Sequence, residues 1–426
     1  MNKIEQMKNR MWTYYSDACI PRASKLALIS EFFLINEKSL ESYNYSDESG
    51  QEIFFEHLVD AGWHQQIDRV TQLICISKAD VCISLGLGGQ VIVQFPLLSS
   101  IGALKKIYQS TLEDMYSVLT EGQCLVATGY HPKTRVESLS IMPSDTAQWL
   151  DDYYRTHGGS SLELLKGTAS TRVLVSFTDE DDFKMKYRVA SFLSTIFSKV
   201  SDGLAIFEGL VVEGENRRIA IYTDGDPIRV KYPVESFDRT FDFNSYIDYL
   251  MDVPPVILKV GGNYYYTNDK PLRELLEFYD VSQIDIAHLS QMVYTDVRLD
   301  QQIELRMMDA IPAPYIFAIV ALVKGIFYVQ DNLERFHKIA LRYTLEDTIE
   351  INKCLQSELD FTHGDMSMNW IMMKVFLDAK MRLDRDEQDA IDLLFEQLNV
   401  EGSYSRKLKR LLDSSVDSYL QAIKVL

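Results

Sequence analysis

Several stretches of this chain alternate with a period of two and set a charge among apolar neighbours. In TRVLVSF (171–177), Val173, Val175 and Phe177 share one face, leaving Arg172, Leu174 and Ser176 on the other. In QQIELRMMD (301–309), Ile303, Leu305 and Met307 form the apolar face, with Gln302, Glu304 and Arg306 opposite. In LALISEFFLIN (26–36), Glu31 lies on the face of Ile29, Phe33 and Ile35. RRIAIYTD (217–224) reads the same way, with Ile219 and Ile221 on one side and Arg218, Tyr222 and Asp224 on the other. Such strands specify a sheet large enough to hold a charged site.

Helical stripes separate them. Residues 103–121 carry apolar side chains at Leu104, Ile107, Tyr108, Leu112, Met115 and Leu119, and 183–199 and 243–251 also predict helices. The most apolar run, 311–329, holds two early prolines and Lys324, too interrupted to span a bilayer comfortably, so it reads as a buried helix. After Gln330 the chain turns helical and polar, as in 385–398. The fold class is α+β: an antiparallel-rich sheet flanked by helices over 1–330, with a helical C-terminal region, 331–426, packed on it. Residues 405–423 form a basic-then-acidic amphipathic helix, of a kind that usually packs on its own domain.

With 426 residues, 46% hydrophobic and 25% charged, the chain has an ordinary globular composition. A net charge of -19 argues against nonspecific nucleic-acid binding, which needs cations to displace counterions from phosphate. Cys19, Cys75, Cys82, Cys124 and Cys354 show no CxxC spacing, and the start MNKIEQMKNRMWTYY lacks a continuous apolar segment. The expectation is a cytoplasmic protein without nucleic-acid or membrane partners.

VCISLGLGGQVIVQFP (81–96) admits two readings, a glycine loop around a phosphate or a β-turn between two strands. The seven histidines have no metal-ligand spacing, and neither a P-loop nor a GxSxG motif occurs. THGD (362–365) resembles a kinase catalytic-loop fragment, but the rest of that signature is missing. Glu304 and Arg306, side by side on one strand face, could pair a metal-binding carboxylate with a phosphate-gripping guanidinium, or form a plain ion pair. Arg218 and Arg229 in RIAIYTDGDPIR could grip a substrate carboxylate, while DGDP alone marks a hairpin turn.

Taken in order, ISLGLGGQ, TGYHPKT, KGTASTRVLVSF, RIAIYTDGDPIR, FNSYIDYLMDVP and DVRLDQQIELRMMDAIP resemble the glutamate–cysteine ligases of the plant and proteobacterial type. The resemblance covers about Lys25 to Tyr328. It implies a glutamine-synthetase-like antiparallel sheet curved around a funnel-like site, and makes 81–96 a strand–turn–strand in which Gly88-Gly89-Gln90 is the turn and the glycines hold no phosphate. It also implies ATP and magnesium as cofactors, and γ-glutamyl peptide-bond formation through an acyl phosphate. By the same resemblance, Glu31 and Glu304 match metal ligands, Arg306 the arginine beside the nucleotide phosphates, and Arg218 an arginine facing the amino-acid substrate. Thr168, Arg172 and Arg229 complete the expected substrate-binding set, with Arg306 and Glu304 as the catalytic pair.

The departures are as plain. Phe33, Gly86 and Ile92 stand where the family has glutamates, and Arg172 where it has glutamine. Glu31 and Glu304 alone support at most one magnesium ion, and Arg172 adds a charge that could stand in for a lost cation. Two readings stay open: a divergent ATP-dependent carboxylate–amine ligase with a reduced metal site, or a noncatalytic paralogue. The latter would bind a nucleotide or amino acid, or partner an active protein; a homo-oligomer is equally open.

Overall fold

Three of the four period-two stretches become strands in the computed structural model, which describes residues 2–21, 24–67, 74–282, 285–364 and 366–426 and holds further strands besides. Nine strands form one antiparallel sheet: β1 (Leu26–Asn36), β2 (His64–Ile67), β3 (Ile74–Lys78), β4 (Val81–Leu85), β5 (Gln90–Gln94), β6 (Gln123–Val126), β7 (Ser170–Val175), β8 (Val297–Leu299) and β9 (Ile303–Asp309). The order is β8-β9-β7-β1-β5-β4-β3-β2, and β6 pairs with the end of β1 that lies beyond β7. One face, with Leu28, Val173, Val175 and Leu305, packs on the helices Glu180–Val200 and Tyr315–Phe327. The latter is the apolar run read as a buried helix. Among the described residues no single helix is long and apolar enough to cross a membrane.

The opposite face carries the charges, because register places them there. Ile29 pairs with Arg172, Glu31 with Ile92, Leu174 with Glu304, and Glu304 with Arg298. Glu31 and Glu304 are therefore the diagonal neighbours of Arg172, within reach of its long side chain. A bulge between Leu305 and Met308 sets Arg306 and Met307 against the single position of Arg172.

The glycine-rich stretch 81–96 is a hairpin. Its N–H groups are spent inside the turn: Gly86 N–H donates to Gln90 O at 2.8 Å, Gly89 N–H to Gly86 O at 3.1 Å and Gly88 N–H to Gln90 Oε1 at 2.9 Å. Gln90 Nε2 ties the turn to the carbonyls of Lys166 and Thr168 at 2.9 and 3.0 Å. A Cβ on Gly88 would stand 2.0 Å from Lys166 O, so close backbone approach, not phosphate binding, demands glycine here.

Two sequence expectations are corrected. Residues 217–224 are not a strand but part of a helix, Arg217–Gly225. Arg218, Ile221 and Gly225 are its buried positions, a helical spacing that so short a run shares with an alternating one. DGDP straddles the end of that helix: Asp224 and Gly225 close it, and a turn follows in which Asp226 Oδ1 accepts the N–H groups of Ile228 and Arg229 at 3.2 and 3.0 Å. Residues 405–423 are broken at Ser415, whose backbone is extended and whose hydroxyl caps the second helix by accepting Ser418 N–H at 3.0 Å. In the THGD fragment, Thr362 and His363 lie in a short hairpin strand, and Asp365 falls outside the described residues.

The C-terminal helices join the body through buried polar contacts. Ser405 N–H donates to Asp202 O at 2.8 Å and its hydroxyl to Asp202 Oδ2, while Val425 N–H and Ile423 O pair with the edge of β6. Burial, then the nearby Asp309 charge, pushes the Asp202 carboxyl up to about 7.

Two predictions follow from this packing. Gly88→Ala should lower stability by about 2 kcal/mol or more, since backbone must move to admit the methyl group. Gly102→Ala, where the nearest atom to a new Cβ is Ser100 Oγ at 3.6 Å, should change it by less than about 1 kcal/mol. Equal urea midpoints for the two variants would refute the close approach. Asp202 binds its proton more tightly folded than unfolded, so between about pH 4 and 7 its contribution weakens as pH rises, by up to ~1.4 kcal/mol per unit. Asp202→Asn should therefore raise the melting temperature relative to wild type more at pH 8 than at pH 5; the same difference at both would exclude a buried proton.

Candidate functional site

The charged face of the sheet forms the floor of a cavity of about 440 Å³. Glu31, Arg172, Glu304 and Arg306 line it together with Arg298, Tyr222 and Thr168. Register and side-chain length decide what meets there. Arg172 spans the two glutamates: one Nη pairs with Glu31 Oε1, the other lies 3.3 Å from Glu304 Oε1, and Nε donates to Ser170 Oγ at 3.0 Å. Arg298 donates to Glu304 Oε2 from Nε at 2.7 Å and from Nη2 at 2.6 Å. Arg306 Nη1 donates to Glu304 Oε1 at 3.2 Å.

Three guanidinium groups thus surround one buried carboxylate. Burial alone would push the Glu304 carboxyl up, but Arg298, Arg306 and Arg172 overcome it and hold it well below the usual carboxylate range. Burial, and then the Arg306 charge, brings Arg172 down to about 9, which leaves it protonated at neutral pH. Three cations face two anions, Glu31 and Glu304, so this cluster carries a positive surplus inside a chain of net charge -19. Arg306 Nε is buried with no hydrogen-bond partner among the described residues.

The residues present do not fit a magnesium cluster. Glu31 Oε2 accepts Ser170 N–H at 2.7 Å and its Oε1 is taken by Arg172, while both oxygens of Glu304 are held by arginines. No group of three or more metal-capable side chains occurs among the described residues. The metal role expected of Glu31 and Glu304 is therefore replaced in this geometry by ion pairing. Of the family's missing carboxylate positions, Gly86 and Ile92 line the cavity. Phe33 instead lies against the His131 ring, 3.9 Å between centroids.

Arg218 and Arg229 do not line the cavity. Arg218 sits behind Tyr222 on the same helix face and donates to its phenolic oxygen at 2.6 Å. Burial opposes ionisation of Tyr222, but the Arg218 and Arg306 charges and a Thr168 hydrogen bond outweigh it and bring the phenol down. Arg229 is withdrawn into the fold, spent on Asp226 at 2.9 Å, Asp269 at 3.0 Å and Pro254 O at 2.8 Å. Sequence reasoning missed Arg298 and Tyr222 as cavity residues. Arg298 had a usable signal: it and Glu304 are equidistant from Gln301, the centre of the β8–β9 hairpin. Tyr222 shares the face of Arg218 in the alternating reading as in the helix, but it was not singled out as a site residue.

Glu304→Gln removes the shared counter-charge of three arginines and should cost about 3–5 kcal/mol, the range for breaking a buried ion pair. Because Glu304 is depressed in the fold, its stabilisation is complete above its unfolded value of 4.5 and fades only as pH falls below that. The destabilisation by the variant should therefore be constant from pH 6 to 8; a loss that grows across this range would exclude the assigned charge state.

Comparison with known proteins agrees with this architecture. Residues 30–353 match the family model described as glutamate-cysteine ligase family 2. The chain is 25% identical over 325 residues to the chloroplastic glutamate–cysteine ligase of Solanum lycopersicum, covering 74% of this chain and 62% of that protein. The Arabidopsis thaliana enzyme is 25% identical over 283 residues, 64% of this chain and 54% of that protein. The chain thus spans about three fifths of the length of these curated relatives. A crystal structure of a Francisella tularensis glutamate–cysteine ligase in complex with AMP shares the fold, with a TM-score of 0.56 at 10% identity over 94% of this chain and 88% of that one. On the match to residues 30–353, the chain belongs to glutamate–cysteine ligase family 2.

Proposed function

We propose that this chain is an ATP-dependent carboxylate–amine ligase acting on an amino-acid-like substrate, with much of its phosphate-handling charge supplied by arginines. The observation that carries this reading is the convergence of Arg172, Arg298 and Arg306 at the wall of the cavity. Family membership and the fold shared with the Francisella ligase support it.

In such a ligation a carboxylate oxygen attacks the γ-phosphorus of ATP and ADP leaves. The amine nitrogen then attacks the acyl carbon, inorganic phosphate departs and the nitrogen loses a proton. The protein's share is positioning and charge compensation. Arg306 and Arg172 face the nucleotide phosphates, Arg298 holds Glu304 in place between them, and the Thr168 and Tyr222 hydroxyls meet the amino-acid end. Arg218 acts through Tyr222 as a positioning residue.

A second reading, ligand binding without turnover, is favoured by one observation: Arg172 occupies the space between Glu31 and Glu304. ADP release with ATP, MgCl2 and the proteinogenic amino acids, singly and in pairs, separates the two. The ligase reading expects release stimulated by a particular pair, and expects Arg306→Ala to weaken ATP binding at least about tenfold. ATP binding with no stimulated release by any pair would favour the second reading. No ATP binding at about 1 mM would exclude the first.

A further inference from the structure

In a site that takes its nucleotide with magnesium, carboxylates hold the cation and the cation meets the phosphates. The carboxylates of this cavity are committed elsewhere. Glu31 spends one oxygen on Ser170 N–H and the other on Arg172, and Glu304 spends both on Arg172, Arg298 and Arg306. What the cavity meets is guanidinium. The Arg172 side chain keeps 18% of its surface exposed, against 5% and 6% for Glu31 and Glu304. Arg306 adds a buried Nε with no partner, a donor that an anionic oxygen would satisfy. The other acid on the lining, Asp300, already accepts the Tyr14 hydroxyl at 2.5 Å.

We infer that this cavity binds the polyphosphate of a nucleotide as the free anion, without a divalent cation, with Arg172 standing between Glu31 and Glu304 where a metal would be held. The inference rests on the nucleotide-binding part of the proposed function and goes beyond it by naming the species bound. A dication entering the cluster would have to displace Arg172 from both glutamates and settle beside Arg298 and Arg306. An anion enters with the guanidinium groups already assembled and pre-ordered by the carboxylates beneath them. Charge-assisted bonds from planar guanidinium groups suit phosphate oxygens well.

Calorimetric titration of the full chain with ATP, once in excess EDTA and once in excess MgCl2, tests this directly. The wild type should bind ATP at least about tenfold more tightly in EDTA than in excess MgCl2, which converts the free anion into its magnesium complex, and MgCl2 alone should give no binding heat. Arg172→Gln should weaken binding in EDTA at least about tenfold. Should that variant fail to fold, Arg172→Lys keeps a cation but loses the two-sided bridge, and should show the same loss in part. Wild-type binding in magnesium as tight as in EDTA, or tighter, would overturn the inference and leave the ligase reading intact. Absence of ATP binding in both buffers would overturn both. Unchanged metal-free affinity in a folded Arg172→Gln would overturn the role given to Arg172.

Discussion

A buried carboxylate ringed by three arginines is the constraint around which the rest of this site is organised. Glu304 is buried, and an ionised carboxylate so placed is tolerable only when paired and hydrogen-bonded on both oxygens. The partners come from three strands: Arg298 from β8, Arg306 from Glu304's own strand β9, and Arg172 from β7. Each reaches Glu304 only if the strands keep their register. A shift of one residue would turn Glu304 into the packing of the Glu180–Val200 and Tyr315–Phe327 helices and scatter the arginines. The charge cluster thus specifies register as strongly as the apolar face does.

The same logic explains which parts were legible in the sequence. Strands β1, β7 and β9 could be read because their periods are clean and their two faces differ in chemistry. The residues of 81–96 alone admit a phosphate loop or a β-turn; the family resemblance points to the turn, and the tether of Gln90 to Lys166 and Thr168 is what holds it. Residues 217–224 could not be read, since Arg218, Ile221 and Gly225 satisfy a helical spacing while Ile219 and Ile221 satisfy an alternating one. The break at Ser415 was hidden for another reason: a serine that caps a helix looks, in a polar stretch, like a serine within one.

Within the site, side-chain type was legible and connectivity was not. Glu31, Arg172, Glu304 and Arg306 were all singled out, and all line one cavity. Their pairing depends on diagonal distances across three strands, which sequence alone does not contain. Arg229 shows the opposite failure. It looked available in RIAIYTDGDPIR, yet it is enclosed by the acids of its own turn and of the segment around Asp269. An arginine close in sequence to an aspartate finds its partner locally more readily than in a ligand.

The absence of carboxylates at positions 33, 86 and 92 also has a physical consequence for the arginines. Unit charges about 5 Å apart at an effective dielectric of about 20 interact by roughly 3 kcal/mol, so a dication beside two or three guanidinium groups would meet a repulsion several times larger. Additional glutamates would offset it; Gly86 and Ile92 do not. Conversely, with Arg172 in place, more glutamates are not needed to hold the floor of the cavity together. A fixed guanidinium between Glu31 and Glu304 gives the cavity a cation that needs no gathering from solution.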